Sequence, residues 1–337
     1  MIEKSKTPKN ALKGFAFVDL FAGIGAFRTA LESFGAKCVF SCEWDKDAQD
    51  TYETNYGDRP AGDITGIREE DVPSHDILCA GFPCQPFSIS GKRLGFADTR
   101  GTLFFDVARI VNHHRPMVAL LENVKNFASH DGGRTLRTVI DTMGDLGYFV
   151  SHDVLNAANY GVPQKRERIY IVCIRKDAGV GRFTFPEPIP LRRHLCDLLL
   201  PDSETDEFVV RRNDVVMSVN EPDHYSDTPL RLGIVNKGGQ GERIYSPKGT
   251  AITLSAHGGG AGAKTGLYLI NNRIRRLAPR ECARLDGFPD SFAVHKNKNA
   301  AYRQFGNSIV VDVLQHIVLK LIESGACVLS QNHPHRP

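Results

Sequence analysis

The sequence contains no uninterrupted apolar run of 18 or more residues, and its lysine-bearing N-terminus has no signal-peptide pattern. A membrane-spanning helix needs about 20 predominantly apolar residues, so we expect a cytoplasmic protein without a membrane partner. A large excess of charge of one sign is also absent, because the formal net charge is only +3. Any surface that binds nucleic acid must therefore be local.

The cysteines are too few for a disulfide scaffold, since there are eight among 337 residues. Neither Cys38/Cys42 nor Cys79/Cys84 has the C-x-x-C spacing of a zinc site, and no histidine pair lies nearby. We therefore predict no metal site. A chain of this length can bury a substantial core without covalent cross-links.

The first part of the chain alternates apolar strand patterns with helical patterns. Strands are predicted at 15–20, 38–42, 77–80, 117–121, 148–155 and 169–174, and helices after residue 26 and at 45–55, 102–114 and 134–146. This alternation predicts an α/β fold with a doubly wound, mostly parallel sheet. Residues 1–13 are expected to form a loose arm, and the last dozen residues are expected to be disordered.

The composition changes after Phe185, and the proline-rich segment 186–190 marks a predicted domain boundary. Residues 228–275 contain ten glycines and seven Lys/Arg against one acid, Glu242. A basic, glycine-rich lobe suits close approach to a polyanion, although a plain β-rich lobe with solvated charges would have the same composition. Helices opening at Pro279 and spanning 309–324 are predicted to complete the fold.

Cys84 lies between two prolines, in the segment Gly81-Phe82-Pro83-Cys84-Gln85-Pro86-Phe87-Ser88. Proline fixes φ and restricts the residue before it, so the thiol is expected on a stiff loop that follows the strand at 77–80. We interpret Cys84 as a nucleophile. The alternative is a small buried hydrophobe, which is what most free cysteines are.

The turn after the first strand carries Gly23 and Gly25, but Arg28 stands where a dinucleotide fingerprint would have its third glycine. A strand, a glycine turn and a helix open nucleotide-binding units, and Glu43 at the end of the second strand is placed to bind a ribose. The missing glycine argues against a bound pyrophosphate. The pattern fits a nucleoside cofactor without phosphates, such as S-adenosylmethionine, although many turns carry two glycines.

Polar residues lie at the ends of two further strands. Glu122 follows the strand at 117–121, at the edge where open α/β sheets bind ligands, and could transfer a proton there; a helix-capping or surface acid is the alternative. Arg166 and Arg168 precede the strand at 169–174 and, as alternate residues, would share one face. Their guanidinium groups suit an oxyanion or a carbonyl oxygen, although such runs are more often solvated turns.

Six ordered segments resemble the motifs of the DNA (cytosine-5)-methyltransferases, and the resemblance covers nearly the whole chain. The segments are 19–25, 81–88, 122–124, 164–168, 280–284 and 304–308. The resemblance implies an S-adenosylmethionine-dependent methyltransferase fold at 1–193 and 304–337, and a smaller β-rich target-recognition domain with its hinge at 194–303. One departure is Ala26, where the family usually has the second glycine of a pair.

The resemblance implies that Cys84 attacks carbon 6 of a cytosine that has been flipped out of the duplex. Glu122 would hold or protonate ring nitrogen 3, Arg168 would bind the carbonyl oxygen, and Arg166 would support the pocket. Carbon 5 would then take the methyl group of S-adenosylmethionine.

The resemblance also assigns binding residues. The cofactor would contact Phe21, Gly23, Gly25, Glu43, Trp44, Asp63, Asn307 and Ser308. DNA would contact Ser90, Lys92, Arg100, Gln240, Glu242, Arg243, Thr253 and His257. From the residues alone, Trp44 could instead pack in the core, and Asn307 and Ser308 could cap a helix. We interpret Arg280 and Arg284 as a scaffold for the recognition domain.

The implied function is sequence-specific methylation of double-stranded DNA, with GCGC as the target, which protects host DNA in a restriction–modification system. The enzyme would act as a monomer. The cognate restriction endonuclease would act on the same DNA site without needing to bind the methyltransferase. An RNA cytosine-5 methyltransferase and an inactive DNA-binding protein are the alternatives. A nicotinamide-dependent oxidoreductase is disfavoured by Arg28.

Overall fold

Short apolar strands connected through helices build the first part of the molecule. The computed structural model describes residues 10–84 and 103–327. The strands here are β1 (Ala16–Leu20), β2 (Lys37–Cys42), β3 (Ile77–Ala80), β4 (Val118–Val124), β5 (Tyr148–Asn156), β6 (Gln164–Lys165) and β7 (Glu167–Arg175). The helices are α1 (Ala26–Glu32), α2 (Lys46–Tyr56), α3 (Leu103–His114) and α4 (Arg134–Asp145). The predicted strands and helices of this region are therefore confirmed, and the Asp45 side chain caps α2 by accepting from the nitrogens of Asp47 and Ala48.

The central sheet has the strand order β2-β1-β3-β4-β7-β5. β2, β1, β3 and β4 are parallel to one another, whereas β7 pairs antiparallel with both β4 and β5. A crossover helix is what makes consecutive strands parallel, and the connection from β5 to β7 contains only a short 3-10 turn and β6. The predicted mostly parallel sheet is confirmed, with β7 as the reversed strand.

The second part of the molecule is a smaller β-rich lobe with helices after it. Its strands are β8 (Val216–Met217), β9 (Leu230–Ile234), β10 (Arg243–Ser246), β11 (Ala251–Ile252), β12 (Leu267–Ile270) and β13 (Arg273–Arg275). The helices are α5 (Pro279–Leu285), α6 (Lys298–Asn307) and α7 (Val311–Glu323). A five-stranded sheet has the order β13-β12-β10-β9-β8, and β11 pairs with β6. We call residues 194–303 the recognition lobe; that division stays a prediction, and its limit at 304 falls within α6.

Both faces of the central sheet are buried, because alternate strand residues point to opposite sides. On one side, Phe17 and Leu120 pack in a core that includes Leu31 of α1 and Leu314 of α7. On the other side, the core formed around Leu121 includes residues of α3 and α4. The central sheet and the helices on its two faces therefore form a three-layer α/β structure, as the alternating pattern predicts.

Among the described residues, the stretch Lys298–Glu323 has the length and mean hydropathy (1.4) of a membrane span. The structure divides it into α6 and α7, and 67% of its apolar window is buried inside the molecule. Burial of this kind is typical of core helices.

Candidate active site

Cys84 lies four residues beyond the end of β3, directly after Phe82 and Pro83. Phe82 is buried and contacts the rings of Phe104 and Phe127, so the chain is anchored just before the cysteine. The thiol itself is free and exposed. The alternative of a buried structural cysteine is therefore wrong for Cys84. Partial burial nevertheless raises the pKa of the thiol.

Glu122 is in β4 and lies inside the molecule, with only 7% of its surface exposed. In the antiparallel ladder of β4 and β7, Val124 lies opposite Arg168, and Glu122 shares the face of Val124 because side chains alternate. Arg168 is thus a diagonal neighbour of Glu122, and its Nε lies 3.2 Å from Glu122 Oε1. The alternatives of a surface or helix-capping acid are wrong for Glu122.

Burial and the neighbouring arginines act on the Glu122 carboxyl in opposite directions. Burial raises the pKa of Glu122, whereas the guanidinium groups of Arg168 and Arg166 lower it. The burial effect is the larger one, so the pKa of Glu122 is raised overall. A carboxyl group in this position keeps its proton to a higher pH than an exposed glutamate and can donate a hydrogen bond.

The two arginines after β6 have different partners. Arg168 reaches Glu122, whereas Arg166 is buried and donates to three backbone carbonyl oxygens. The Arg166 acceptors are the carbonyl oxygens of Leu254 at 2.9 Å, of Gly306 at 3.0 Å and of Ser308. Arg166 is therefore not a solvated basic side chain, and its donors hold protein backbone.

Asn123 belongs to the site although the sequence analysis gave it no separate role. Its Nδ2 donates to the carbonyl oxygen of Phe82 at 2.8 Å, and its Oδ1 accepts from the Val124 nitrogen at 2.9 Å. The sequence signal for it was its place directly after Glu122 in the motif-like segment 122–124, and a buried amide needs hydrogen-bond partners. It connects the end of β4 to the loop that carries Cys84.

The turn after β1 is shaped for close approach of a ligand. Phe21, Gly23 and Gly25 have φ values of 57°, 54° and 87°, a region that favours glycine. A methyl group at Gly23 would meet no atom within 4 Å, so space is open beside this turn. The Gly23 nitrogen donates to Glu43 Oε2 at 2.9 Å, and the Asp45 nitrogen donates to Oε1 at 2.8 Å. The Glu43 carboxylate thus joins the turn after β1 to the residues that follow β2.

Trp44 follows Glu43 and is 77% exposed, so the alternative of ordinary core packing is wrong. Asp63 is also exposed and caps a short turn by accepting from the Thr65 nitrogen at 3.0 Å.

Asn307 ends α6, whereas Ser308 is buried and its carbonyl oxygen is bound by Arg166. Because Val310 is the N-cap of α7, the alternative that Asn307 or Ser308 caps the N-terminus of the following helix is wrong.

The predicted DNA-contacting residues divide into described and undescribed ones. Ser90, Lys92 and Arg100 lie outside the described residues, as does most of the arm predicted at 1–13 and nearly all of the last dozen residues. Gln240 and His257 are exposed in the recognition lobe.

The other predicted DNA-contacting residues form hydrogen bonds within the protein. Glu242 accepts from Asn236 Nδ2 at 2.6 Å and from the Gly239 nitrogen at 2.9 Å. Arg243 is half-buried, with its Nε 3.3 Å from the Gly238 carbonyl oxygen. The Thr253 hydroxyl donates to the carbonyl oxygen of Lys165, at the contact between β11 and β6. Glu242 therefore shapes its own turn, and Thr253 joins the recognition lobe to the central domain.

Arg280 and Arg284 were interpreted as scaffold residues. Arg284 forms two hydrogen bonds with Asp290, at 2.7 and 3.0 Å, and another with the Leu198 carbonyl oxygen at 3.0 Å. These contacts tie α5 to the start of the recognition lobe, which supports that interpretation for Arg284.

This geometry can be compared with known proteins. The model of the family described as C-5 cytosine-specific DNA methylase matches residues 15–323. The chain belongs to this family. It is 59% identical over 310 residues to Type II methyltransferase M.HhaI of Haemophilus parahaemolyticus, which covers 92% of this chain and 95% of that protein. Type II methyltransferase M.HpaII of Haemophilus parainfluenzae is 43% identical over 347 residues, covering 96% and 93%. The chain is a DNA (cytosine-5)-methyltransferase.

Solved structures agree on the fold. The Dnmt2 methyltransferase of S. pombe aligns with a TM-score of 0.70 at 20% identity, covering 91% of this chain and 98% of that one. A putative DNA modification methyltransferase encoded within a prophage of E. coli aligns with a TM-score of 0.67 at 20% identity, covering 92% and 99%. At this identity the likeness supports the methyltransferase fold alone.

Proposed function

We propose that the enzyme methylates carbon 5 of a flipped-out cytosine in duplex DNA through a covalent bond to Cys84, with S-adenosylmethionine as the cofactor. The observation that carries this proposal is the arrangement at the ends of β3 and β4. An exposed thiol follows β3, a buried acid paired with Arg168 lies near the end of β4, and the Asn123–Phe82 hydrogen bond connects the two segments. A nucleophile and a proton donor in one place suit addition to a ring.

Each side chain has a defined part in this reaction. The Cys84 thiolate forms a bond to carbon 6, and the electron pair moves into the ring toward nitrogen 3. The protonated Glu122 carboxyl donates to nitrogen 3, and Arg168 donates to the carbonyl oxygen, so the developing charge is stabilised. Carbon 5 would then take the methyl group as the bond from that group to the donor sulfur breaks, which leaves a neutral thioether. Loss of the carbon 5 proton to water would supply the electron pair that expels Cys84 from carbon 6 as a thiolate, and the proton on nitrogen 3 would return to Glu122. The raised pKa of Glu122 favours this donating role.

The residues at the turn after β1 fit S-adenosylmethionine. The carboxylate oxygens of Glu43 accept backbone hydrogen bonds that include those from Gly23 and Asp45. A carboxylate has about four acceptor sites, so it can also accept from a ribose hydroxyl. The exposed Trp44 indole offers a flat surface for adenine. When bound, the cofactor supplies the methyl group as an electrophile. Asp63, Asn307 and Ser308 complete the set of proposed contacts.

The biological role that we propose is protection of host DNA in a restriction–modification system, with GCGC as the target. The similarity to the Type II methyltransferase M.HhaI over 92% of the chain supports this role. The cognate endonuclease would act on the same site without forming a complex with this enzyme, and the enzyme would act in the cytoplasm as a monomer.

Bisulfite sequencing of plasmid DNA incubated with the purified protein and S-adenosylmethionine tests the proposal. Methylation confined to the inner cytosine of GCGC is the expected result. Methylation at another short sequence would keep the reaction and contradict the target. Bound cofactor without any methylated cytosine in DNA would favour the RNA substrate or the inactive binder. A second measurement is the salt dependence of DNA binding, which should weaken with rising salt because lysines and arginines displace counterions.

A further inference from the structure

Arg166 joins three parts of the molecule at one buried point. Its guanidinium group projects from the connection between β6 and β7 and donates to the carbonyl oxygens of Leu254, Gly306 and Ser308. Leu254 belongs to the recognition lobe, and residues 306–308 include the proposed cofactor contacts. The same side chain therefore holds the recognition lobe and the cofactor segment against the strand that presents Arg168.

The backbones at this junction are in close contact. A methyl group added at Gly306 would lie 2.1 Å from the Ala256 nitrogen and 2.3 Å from the Ser255 carbonyl carbon. Such distances are well inside van der Waals contact, so residue 306 has no room for a side chain. A small change in the position of Arg166 would therefore move residues 255–256 and 306–308 together.

The charge of Arg166 is costly where it lies. The residue is only 2% exposed, and burial lowers its pKa to about 10. Burial is the largest of the causes behind this value; the positive charge of Arg168 also lowers the pKa, whereas Asp286 and Glu122 raise it, Asp286 having the larger effect of the two acids. Asp286, which lies outside the proposed catalytic set, is joined to this junction through Gln164. The Gln164 Nε2 donates to Asp286 Oδ1 at 3.3 Å, and its Oε1 accepts from the nitrogen of Leu254, the residue whose carbonyl oxygen Arg166 binds.

Asp286 lies at the end of α5 and is completely buried. Its Oδ1 accepts from Gln164 Nε2 at 3.3 Å, and its carbonyl oxygen accepts from the Val311 nitrogen at 2.9 Å. Its Oδ2 has no hydrogen-bond partner among residues 10–84 and 103–327. A buried carboxylate with an unpartnered oxygen is unfavourable for folding, and residues of this kind often serve function.

We propose that the ionised Asp286 carboxylate is a positioning device for methyl transfer, which acts by stabilising the charged Arg166 fork that holds the recognition lobe and the cofactor segment in place. This inference rests on the proposed function. It makes Asp286 a positioning residue and not a catalytic one, since it is separated from the proposed pocket by Arg166.

The protonation of Asp286 changes within the working pH range of such an enzyme. Burial raises the pKa of Asp286 to about 7, although Arg166, the Gln164 hydrogen bond and Arg168 each lower it. The other titratable groups that act on this cluster, or pack against it, are Glu122, Tyr170, Cys282 and Asp312. Below pH 6 the acid is mostly neutral and resembles an asparagine in shape and charge. Above pH 8 it is mostly ionised.

Asp286→Asn tests the inference through a ratio. The measured quantity is kcat/KM of the wild type divided by kcat/KM of Asp286→Asn, across pH 5.5 to 9, a range that spans the pKa near 7. The ratio is used because the titrations of Cys84 and Glu122 affect both proteins and cancel. The ratio should be close to one below about pH 6 and should rise to at least about five-fold above about pH 8, the lower end of usual coupling between sites. Asp290→Asn, which removes an exposed acid on the neighbouring segment, should give a flat ratio.

The Tm of the two proteins is a second test. A purely structural ion pair would make the wild type more stable relative to Asp286→Asn as pH rises, whereas the inference predicts the opposite. The unfolded acid loses its proton near 3.8 and the folded acid near 7, so the folded state binds more protons between these values. The Tm of the wild type should therefore fall relative to Asp286→Asn as pH rises through this window. Above pH 8 the variant should be at least as stable as the wild type and yet less active.

Several outcomes would overturn the inference. They are a ratio that does not change with pH, a variant that fails to fold at pH 6, and a variant less stable than the wild type at pH 8. In an Arg166→Lys background, which lacks the fork, Asp286→Asn should cause no further loss, and additive losses would also contradict the inference. If wild-type protein fails to bind S-adenosylmethionine by calorimetry or to methylate DNA, the proposed function fails instead, and the Tm comparison still reports on Asp286.

Discussion

The side-chain amide of Asn123 donates a 2.8 Å hydrogen bond to the carbonyl oxygen of Phe82. Asn123 follows Glu122, and Phe82 is two residues before Cys84. The bond therefore fixes the spacing between the chain that carries the proposed proton donor and the chain that carries the proposed nucleophile. Proximity of this kind is a large part of catalysis, since small displacements of reacting groups reduce rates strongly.

Asn123→Ala should lower kcat more than it affects cofactor binding. The variant leaves the buried Phe82 carbonyl oxygen unsatisfied, which costs about 1–3 kcal/mol in stability, and releases the loop before Cys84. Single-turnover methylation and calorimetry with S-adenosylmethionine would separate the two effects. Asn126→Ala removes an exposed amide just beyond β4 and is the matched control. Equal activity of the two variants would contradict a positioning role for Asn123.

Cys84→Ala should abolish methylation, by at least about a thousandfold, because the covalent route is lost. DNA binding should persist, since the exposed thiol holds no part of the fold together. Cys196→Ala is the control, as Cys196 is also a free cysteine that is not fully buried, and it lies in the recognition lobe. Tritium transfer to DNA and an electrophoretic shift assay measure the two properties. Residual turnover of a few per cent would rule out covalent catalysis by Cys84.

Glu122→Gln should reduce the methylation rate sharply while the fold stays intact. Glutamine fills the same space but cannot give a proton to nitrogen 3. The pKa of Glu122 is raised, so the folded state holds this proton more tightly than the unfolded chain, and wild-type stability falls as pH rises from about 4.5. The variant should lack that fall, which Tm measurements between pH 5 and 8 would detect. An unchanged methylation rate would mean that Glu122 is not catalytic.

Trp44→Ala should weaken S-adenosylmethionine binding by about ten-fold or more, in line with the usual strength of stacking between a base and an aromatic ring. The Tm should change little, because the indole is 77% exposed. Trp44→Phe keeps an aromatic face and should retain most of the affinity. Calorimetry measures all three proteins, and the single tryptophan also allows fluorescence titration of the wild type. Equal affinity of Trp44→Ala and wild type would exclude the stacking role.

The elements of the central sheet could be predicted because each one has a local signature. β3 coincides with the apolar run at 77–80, and α2 begins after the Asp45 cap. The reversed direction of β7 was less accessible, since it depends on a connection without a helix. That reversal places Arg168 beside Glu122, and the sequence, which predicted both residues for one pocket, did not predict that they pair.

The junction around Arg166 could not be predicted from local sequence. Its acceptors at Leu254 and Gly306 lie 88 and 140 residues away along the chain. Asp286 stands beside a glycine in a segment typical of a surface turn, yet it is fully buried. Tertiary packing alone decides such burial, which is why the sequence indicated the proposed catalytic thiol and acid and Arg166 as a pocket residue, but neither the acceptors of Arg166 nor Asp286.

Alkylation of Cys84 by iodoacetamide should accelerate as the pH rises, because only the thiolate reacts. Burial raises the pKa of this thiol above its ordinary value of 9.0, so the thiolate is a minor form at neutral pH and the rate should increase about tenfold per unit between about pH 7 and 8.5. Mass spectrometry of the peptide containing Cys84 measures the rate, and the cysteines buried in the sheet should stay unmodified. A rate already constant across this range would mean that the free enzyme holds a thiolate. In that case the nucleophile would be activated before DNA binds, and the proton would have left Cys84 without help from the substrate complex.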